Sequence, residues 1–337
     1  MDTKTDVIFV DHSILSTGVC GEKQRLQYIE HLVPIGESTP LVFGSAWHAA
    51  VAYLYTHSQV KLDEKIAGAQ RAFLDYLKEN APSALPIASD LSDRNEKRTV
   101  ERGFAMIDAY ARKWAHNDIY WSDIVNSEGE PFVEIGFSIY FMDWHGVPVM
   151  FVGKIDRIRK YRIDGMAYNW ETKTTSWGVK RYAETVRPNH QYTGYTWASK
   201  ELLSLELAGN MLDAAFVSDR KIGGKFPTGV DPENDFGRYE TRRSPTDVDE
   251  FLYDLKLATT NYLTLRDKLQ SGELRRAHRQ TAACTMYGGC YYREACGSNL
   301  NPAIMRNKYT VKRWHPWEND QKPKKILEKK HESQGQA

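Results

Sequence analysis

The chain has 337 residues, enough for one large domain or two small ones at about 100 to 200 residues each. Hydrophobic residues make up 41% and charged residues 26%, the balance of a soluble globular protein, which excludes a disordered or fibrous chain. A formal net charge of +1 gives no global attraction to nucleic acid, so a grip on a polyanion has to come from local basic patches.

In chain order, Met1-Asp2-Thr3-Lys4 lacks the basic-then-apolar pattern of a signal peptide, and no run reaches the roughly 18 apolar residues that span a bilayer. The expectation is a cytoplasmic protein with no membrane partner. Residues 41–57 predict a helix, with Phe43, Trp47, Ala50, Val51 and Leu54 at helical spacing. Further helices are predicted over 61–79 and 97–116, separated by a loop at Pro82–Pro86. From Pro131 the period becomes strand-like in three runs, Pro131–Met142, Val147–Tyr161 and Met166–Thr174, joined at His145-Gly146 and Asp164-Gly165. A helix over Asn189–Leu207, a strand over Leu212–Ser218 and a helix over Thr246–Leu269 complete a mixed sheet flanked by helices. Residues 318–337 are charged and polar with little to bury, and are expected to be a disordered basic tail.

Basic residues cluster at Lys154, Arg157, Arg159, Lys160 and Arg162, at Lys180-Arg181 with Arg187, and at Arg275-Arg276 with Arg279. They read as phosphate contacts or as solvated faces.

The second and third strands carry the chemistry. Side chains alternate along a strand, so Glu171 and Lys173 share a face while Thr172 points away. If the two strands pair through the Asp164-Gly165 turn, Asp156 can lie beside Glu171. Two carboxylates on one face repel unless a cation sits between them, and hard oxygen ligands favour magnesium or manganese. The Thr172 carbonyl can add an oxygen ligand. Lys173 can orient water or offset charge developing on a phosphate. On the next helix Gln191 and Tyr195 fall at i and i+4, on one face, as site residues or as a surface glutamine beside a core tyrosine.

These segments, "VGKIDRI" (152–158) and "NWETKTTS" (169–176), resemble the G-x-I-D and D/E-x-K motifs of RecB-like nucleases in the PD-(D/E)xK superfamily. Gln191-Tyr192-Thr193-Gly194-Tyr195 resembles that group's Q-h-x-x-Y signature, and Gly44-Ser45-Ala46-Trp47-His48 its G-x-x-x-H segment, whose histidine ligates the metal. The acidic residue that often follows this histidine is missing from Ala49–Tyr55. The resemblance implies an α/β, restriction-endonuclease-like core with a helical insertion. It implies one domain over 1–317, with helices at about 41–125, a catalytic core at about 130–270 and a cysteine region at 280–300 plus Cys20. It also implies hydrolysis of DNA phosphodiester bonds, with His48, Asp156, Glu171 and Thr172 on the metal and Lys173, Gln191 and Tyr195 assisting.

The four cysteines are Cys20, Cys284, Cys290 and Cys296, the last three spaced C-x5-C-x5-C. In a reducing compartment they suit a 4Fe-4S cluster or structural zinc and can meet only if the chain ends come together. The one-plus-three arrangement resembles the iron-sulfur subset of the superfamily, which includes AddB-type and CRISPR-adaptation exonucleases, although five residues separate the first two C-terminal cysteines where two are common there. The implied activity is a DNA exonuclease on single-stranded or duplex ends, serving recombination, repair or end processing in a phage-encoded or cellular setting, with an unidentified helicase or recombination partner. A structure-selective endonuclease and a non-catalytic DNA-end-binding module are the alternatives. The chain holds no G-x-x-x-x-G-K-S/T loop, so it carries no helicase of its own.

Overall fold

The computed structural model describes residues 7–36, 38–80, 97–115, 118–220, 229–285, 289–317, 323 and 325–330. The expected loop at Pro82–Pro86 lies outside them. Short elements come first: β1 (Ile8–Val10), α1 (His12–Ser16), α2 (Gly21–Gln24) and β2 (Leu32–Pro34). Asp11 starts α1 by accepting the Ile14 N–H at 2.7 Å, an N-cap bond.

The helical region is α3 (Thr39–Thr56), α4 (Leu62–Asn80) and α5 (Val100–Tyr110), the last running on into a wider π-helical turn over Ala111–Ala115. The five apolar residues that predict α3 are all buried, against Phe73 of α4 and Met106, Ile107 and Tyr110 of α5. Burial of one such large side chain contributes about 1.5–3 kcal/mol. The stripe therefore fixes the rotation of α3, and with it the direction of His48.

The sheet follows: β3 (Trp121–Asp123), β4 (Val133–Trp144), β5 (Val147–Tyr161) and β6 (Ala167–Thr175), then α6 (Val179–Ala183) and α7 (His190–Leu203), then β7 (Leu207–Phe216), α8 (Pro232–Asp235) and β8 (Phe236–Thr241). The long α9 (Pro245–Gln270) leads to α10 (Arg293–Gly297), α11 (Pro302–Lys308), β9 (Tyr309–Val311) and β10 (Lys325–Lys329). Strand order is β10-β4-β5-β6-β7-β8, with β1 and β3 also paired to β5. Pairs β1–β5, β4–β10 and β6–β7 are parallel and the others antiparallel, so the sheet is mixed. The parallel β6–β7 pair needs a crossover, which α6 and α7 supply. A second core joins Phe137, Phe151 and Ile155 of the sheet to Trp197 of α7 and Phe251 and Leu255 of α9. The expected α/β fold, a mixed central sheet flanked by helices, is the one observed. Among the described residues no helix is long and apolar enough to cross a membrane.

Three expectations are corrected. α7 ends at Leu203 instead of Leu207 because Ser204 turns left-handed, at φ +50°, and stops the helix. β7 begins at Leu207, five residues earlier than expected, because pairing to β6 holds small and polar residues such as Gly209 and Asn210 in the strand. The tail is not wholly disordered, since Lys325–Lys329 pairs with Ile135–Ile139 of β4; the other tail positions, apart from Pro323 and Lys330, lie outside the described residues.

Candidate functional site

Three adjacent strands bring three carboxylates into a row. Val133 pairs with Arg157 and Ile135 with Ile155, so Glu134 of β4 falls opposite Asp156 of β5. Arg157 pairs with Trp170, and one step further along the same register Glu171 of β6 falls beside Asp156. The Thr172 N–H closes this step by donating to Asp156 Oδ2 at 2.7 Å. From α3, His48 Nδ1 stands 3.3 Å from Asp156 Oδ1. One ligand atom each from His48, Glu134 and Asp156 lie within 4.8 Å of one another.

Glu171 is held differently. Its Oε1 takes the Lys173 ammonium and, at 2.9 Å, the Gln191 amide, whose Nε2 also donates to the Tyr195 hydroxyl at 3.1 Å. Its Oε2 is buried with no hydrogen-bond partner. Gln191 and Tyr195 thus share a face of α7 and meet the site, as their spacing predicts. Asn169 donates to the Tyr195 carbonyl at 2.9 Å and Ser199 donates to Asn169 Oδ1 at 2.8 Å, tying α7 to β6. Gly153 explains the glycine of the strand motif: a Cβ there would stand 2.5 Å from the Phe137 ring and 3.0 Å from that of Tyr195.

The electrostatics are those of crowded acids. Burial opposes ionisation of Asp156, but His48, Lys173 and Lys154 outweigh it and hold the carboxyl below its usual range. Burial, with the nearby charge of Asp156, lifts Glu171 and Glu134 above theirs, and Lys173 and Lys154 offset only part of this. Burial also works against a charged Lys173, yet Glu171 foremost raises it well above the ordinary lysine value, so it stays an ammonium. Burial, then the charge of Glu171, push the Tyr195 phenol far up, so it stays neutral. A cation among these acids would relieve the repulsion and satisfy the bare Glu171 oxygen, so the donors fit a hard divalent ion.

His48, Lys154, Asp156, Glu171, Lys173, Gln191 and Tyr195 line one cavity of about 580 Å³, together with His12, Leu41, Tyr76, Trp314 and Trp317, while Glu134 lies behind its lining, beside His48 and Asp156. Sequence reasoning missed Glu134. Its backbone is left-handed, at φ +54°, a rare state for glutamate that clusters at functional sites. The signal in the sequence is a lone acid between the buried Val133 and Ile135. Sequence reasoning also misread Arg157 and Arg159 as part of an exposed basic patch. Both are buried, Arg157 against Asp213 and Arg159 against Asp118 and Asp123, and Lys154 pairs with Glu134 at 2.5 Å.

The segments around Cys20 and the C-terminal cysteines meet, although among the described residues no three thiols gather within 4.8 Å as the donors of His48, Glu134 and Asp156 do. Glu22 N–H donates to the His278 carbonyl at 3.0 Å, Glu22 Oε2 accepts the Ala277 N–H at 3.0 Å, and β2 pairs antiparallel with β9. Cys290 and Cys296 pack with Leu26, Leu32 and Tyr292. Burial raises the Cys296 thiol, and among its neighbours Glu22, Cys290 and Cys20 raise it further. The Cys290 N–H donates to the Cys284 carbonyl at 3.0 Å.

No curated protein matches the chain. A solved structure from Eubacterium rectale, described as a candidate exonuclease, is similar at 12% identity and a TM-score of 0.44 over 86% of this chain and 88% of that one. The sequence profile of the PD-(D/E)XK nuclease superfamily matches residues 18–297, a span that takes in His48, the whole Glu134–Asp156–Glu171 row and all four cysteines, and the chain belongs to that superfamily.

Proposed function

We propose that the protein is a metal-dependent DNA exonuclease of the RecB-like group, hydrolysing phosphodiester bonds in the cavity below α3. The observation that carries this reading is the convergence of His48, Glu134 and Asp156 within 4.8 Å, beside a Glu171 whose second oxygen is buried and unpartnered. In this reading His48, Glu134, Asp156, Glu171 and the Thr172 carbonyl hold magnesium or manganese. When bound, that ion supplies a water of lowered pKa and neutralises charge on the phosphate.

The chain's own residues do the rest. Lys173, kept cationic, faces the negative charge that grows on the phosphoryl oxygens as water adds at phosphorus and the P–O bond breaks. Gln191 fixes one oxygen of Glu171 and leaves the other for the ion, and the neutral Tyr195 hydroxyl braces Gln191. Exposed Lys180, Arg181, Arg275 and Arg276 supply phosphate contacts, with binding that weakens as salt rises.

The second half of the proposal is a 4Fe-4S cluster on Cys20, Cys284, Cys290 and Cys296, with structural zinc as its alternative. The donor set is four thiols with no disulfide, on segments already stitched together at Glu22, Ala277 and His278. Such a cluster supplies cross-linking of the chain ends, free energy that adds to folding.

End-labelled single-stranded and duplex DNA, with magnesium or manganese, tests the activity. Progressive shortening from an end by the wild type, and none by Asp156→Ala, is expected. Internal cleavage of circular DNA at a comparable rate would replace the exonuclease reading with an endonuclease.

A further inference from the structure

The segment after β9 is a wall of the active site. Lys312 N–H donates to the His31 carbonyl at 2.8 Å, and the chain then runs back across the molecule, so that Trp314, His315, Pro316 and Trp317 line the same cavity as His48, Asp156 and Lys173. It is pinned at several points. The Trp317 indole N–H donates to the Gly153 carbonyl at 3.0 Å, three residues before Asp156. The Trp317 ring also lies 6.4 Å from Phe9, and Trp314 meets Tyr28 edge-on at 6.3 Å. Further along, Pro323 fills the space over Gly136, where an added Cβ would stand 2.7 Å from the proline ring, and β10 then pairs with β4. Trp314–Trp317 thus form a clasp held at Gly153, Phe9 and Tyr28.

Two indoles that were only core would be covered. Both are instead partly exposed, and both border a cavity whose floor is charged. Leu41 and Tyr76 line the same cavity. A nucleotide presents a phosphate to a charged floor and a flat base to whatever stands beside it, and a base stacked on an aromatic ring gains about 1–3 kcal/mol whatever its identity.

Resting on the nuclease reading, we propose that Trp314 and Trp317 form a stacking wall for the base next to the scissile phosphate. The C-terminal clasp is then a specificity-determining part of the site. Because stacking needs only a π face, the wall recognises the presence of a base and tolerates its sequence.

Oligonucleotides with a single abasic residue at successive positions from either end test this. Wild-type protein, Trp314→Ala, Trp317→Ala and Trp317→Phe are compared for kcat/KM with manganese and for affinity in EDTA. The wild type should disfavour the abasic residue at one position by about tenfold or more in both measurements, a size that stacking supplies. Either alanine variant should lose most of that discrimination through KM, and Trp317→Phe should keep part of it. Equal wild-type affinity and cleavage for base-bearing and abasic strands would overturn the proposal, as would alanine variants that discriminate like the wild type. Base-dependent affinity in EDTA from a protein that cleaves nothing would uphold the wall and sink the nuclease reading alone.

Discussion

Asp213→Asn is expected to destabilise the fold by about 3–5 kcal/mol, the usual cost of removing one partner from a buried ion pair. Asp213 is fully buried on β7 and faces two guanidiniums, Arg157 (2% exposed) and Arg238 (10% exposed), while also accepting the Tyr110 hydroxyl. Without its charge, Arg157 keeps Thr172 Oγ1 at 2.8 Å and the faces of Tyr55 and Trp170 at 4.2 and 4.6 Å, but no anion. Arg238 keeps Asp118 at 3.6 Å. The reverse change, Arg157→Met, leaves Asp213 with Arg238 and Tyr110, so it should fall at the lower end, about 3 kcal/mol. The double variant removes both charges and should cost less than the sum of the two, by about 0.5–3 kcal/mol. Urea unfolding followed by circular dichroism and tryptophan fluorescence measures all three, with coincident transitions as the two-state check. Arg157 adjoins Asp156, and its partner Thr172 adjoins Glu171, so activity should fall with stability. An Asp213→Asn cost under about 1 kcal/mol, or strict additivity, would refute the claim that this network braces the catalytic strands as a buried unit.

Asp156→Ala and Lys173→Ala should abolish cleavage with the circular dichroism spectrum unchanged, whereas Glu134→Gln and Glu171→Gln should weaken divalent-ion binding in calorimetric titration; a Glu134→Gln protein with normal affinity would remove Glu134 from the metal set. The purified protein should be brown, with iron and sulfide in equal amounts, and Cys20→Ala or Cys290→Ala should bleach it and lower its stability while Lys173→Ala keeps the colour. Colourless, zinc-loaded protein from anaerobic purification would instead select zinc. Burial, then Lys173 and His190, push His12 down to about 4 from its ordinary value. Between about pH 6.5 and 4 the unfolded chain then takes up the proton that folded His12 refuses, so stability present above 6.5 should be lost as pH falls through this window, and His12→Gln should flatten that slope in urea titrations.

Much of this site is legible because it depends on local rules. Periodicity places β5 and β6, and the turn that contains Asp164-Gly165 joins them; it spans four residues, 162–165, with Tyr161 facing Met166, and so sets Asp156 beside Glu171 where a two-residue turn would have set it opposite Lys173. Helical spacing puts Gln191 and Tyr195 on one face. The basic patch fails for the same reason that the strands succeed. Arg157 and Arg159 look like surface residues only if their side of the strand meets water, and it meets Tyr55 and Trp170 instead. Which face is covered is a long-range fact, decided by α3 and α5 from far upstream.

Glu134 shows where counting breaks down. The two-residue turn at His145-Gly146, both left-handed at φ +51° and +80°, pairs Trp144 with Val147. Counting back along the hairpin from there would set Glu134 opposite Arg157, outside the carboxylate row. Between Tyr140 and Met142 the register slips by one residue, and the slip moves Glu134 opposite Asp156. A one-residue slip exchanges the faces of a strand, and bulges re-aim side chains beside active sites in this way. The bulge has no glycine to announce it in Tyr140-Phe141-Met142. The third carboxylate therefore reaches the site through an irregularity that local sequence does not encode, and the left-handed Glu134 backbone is the second irregularity that finishes its turn toward His48 and Asp156.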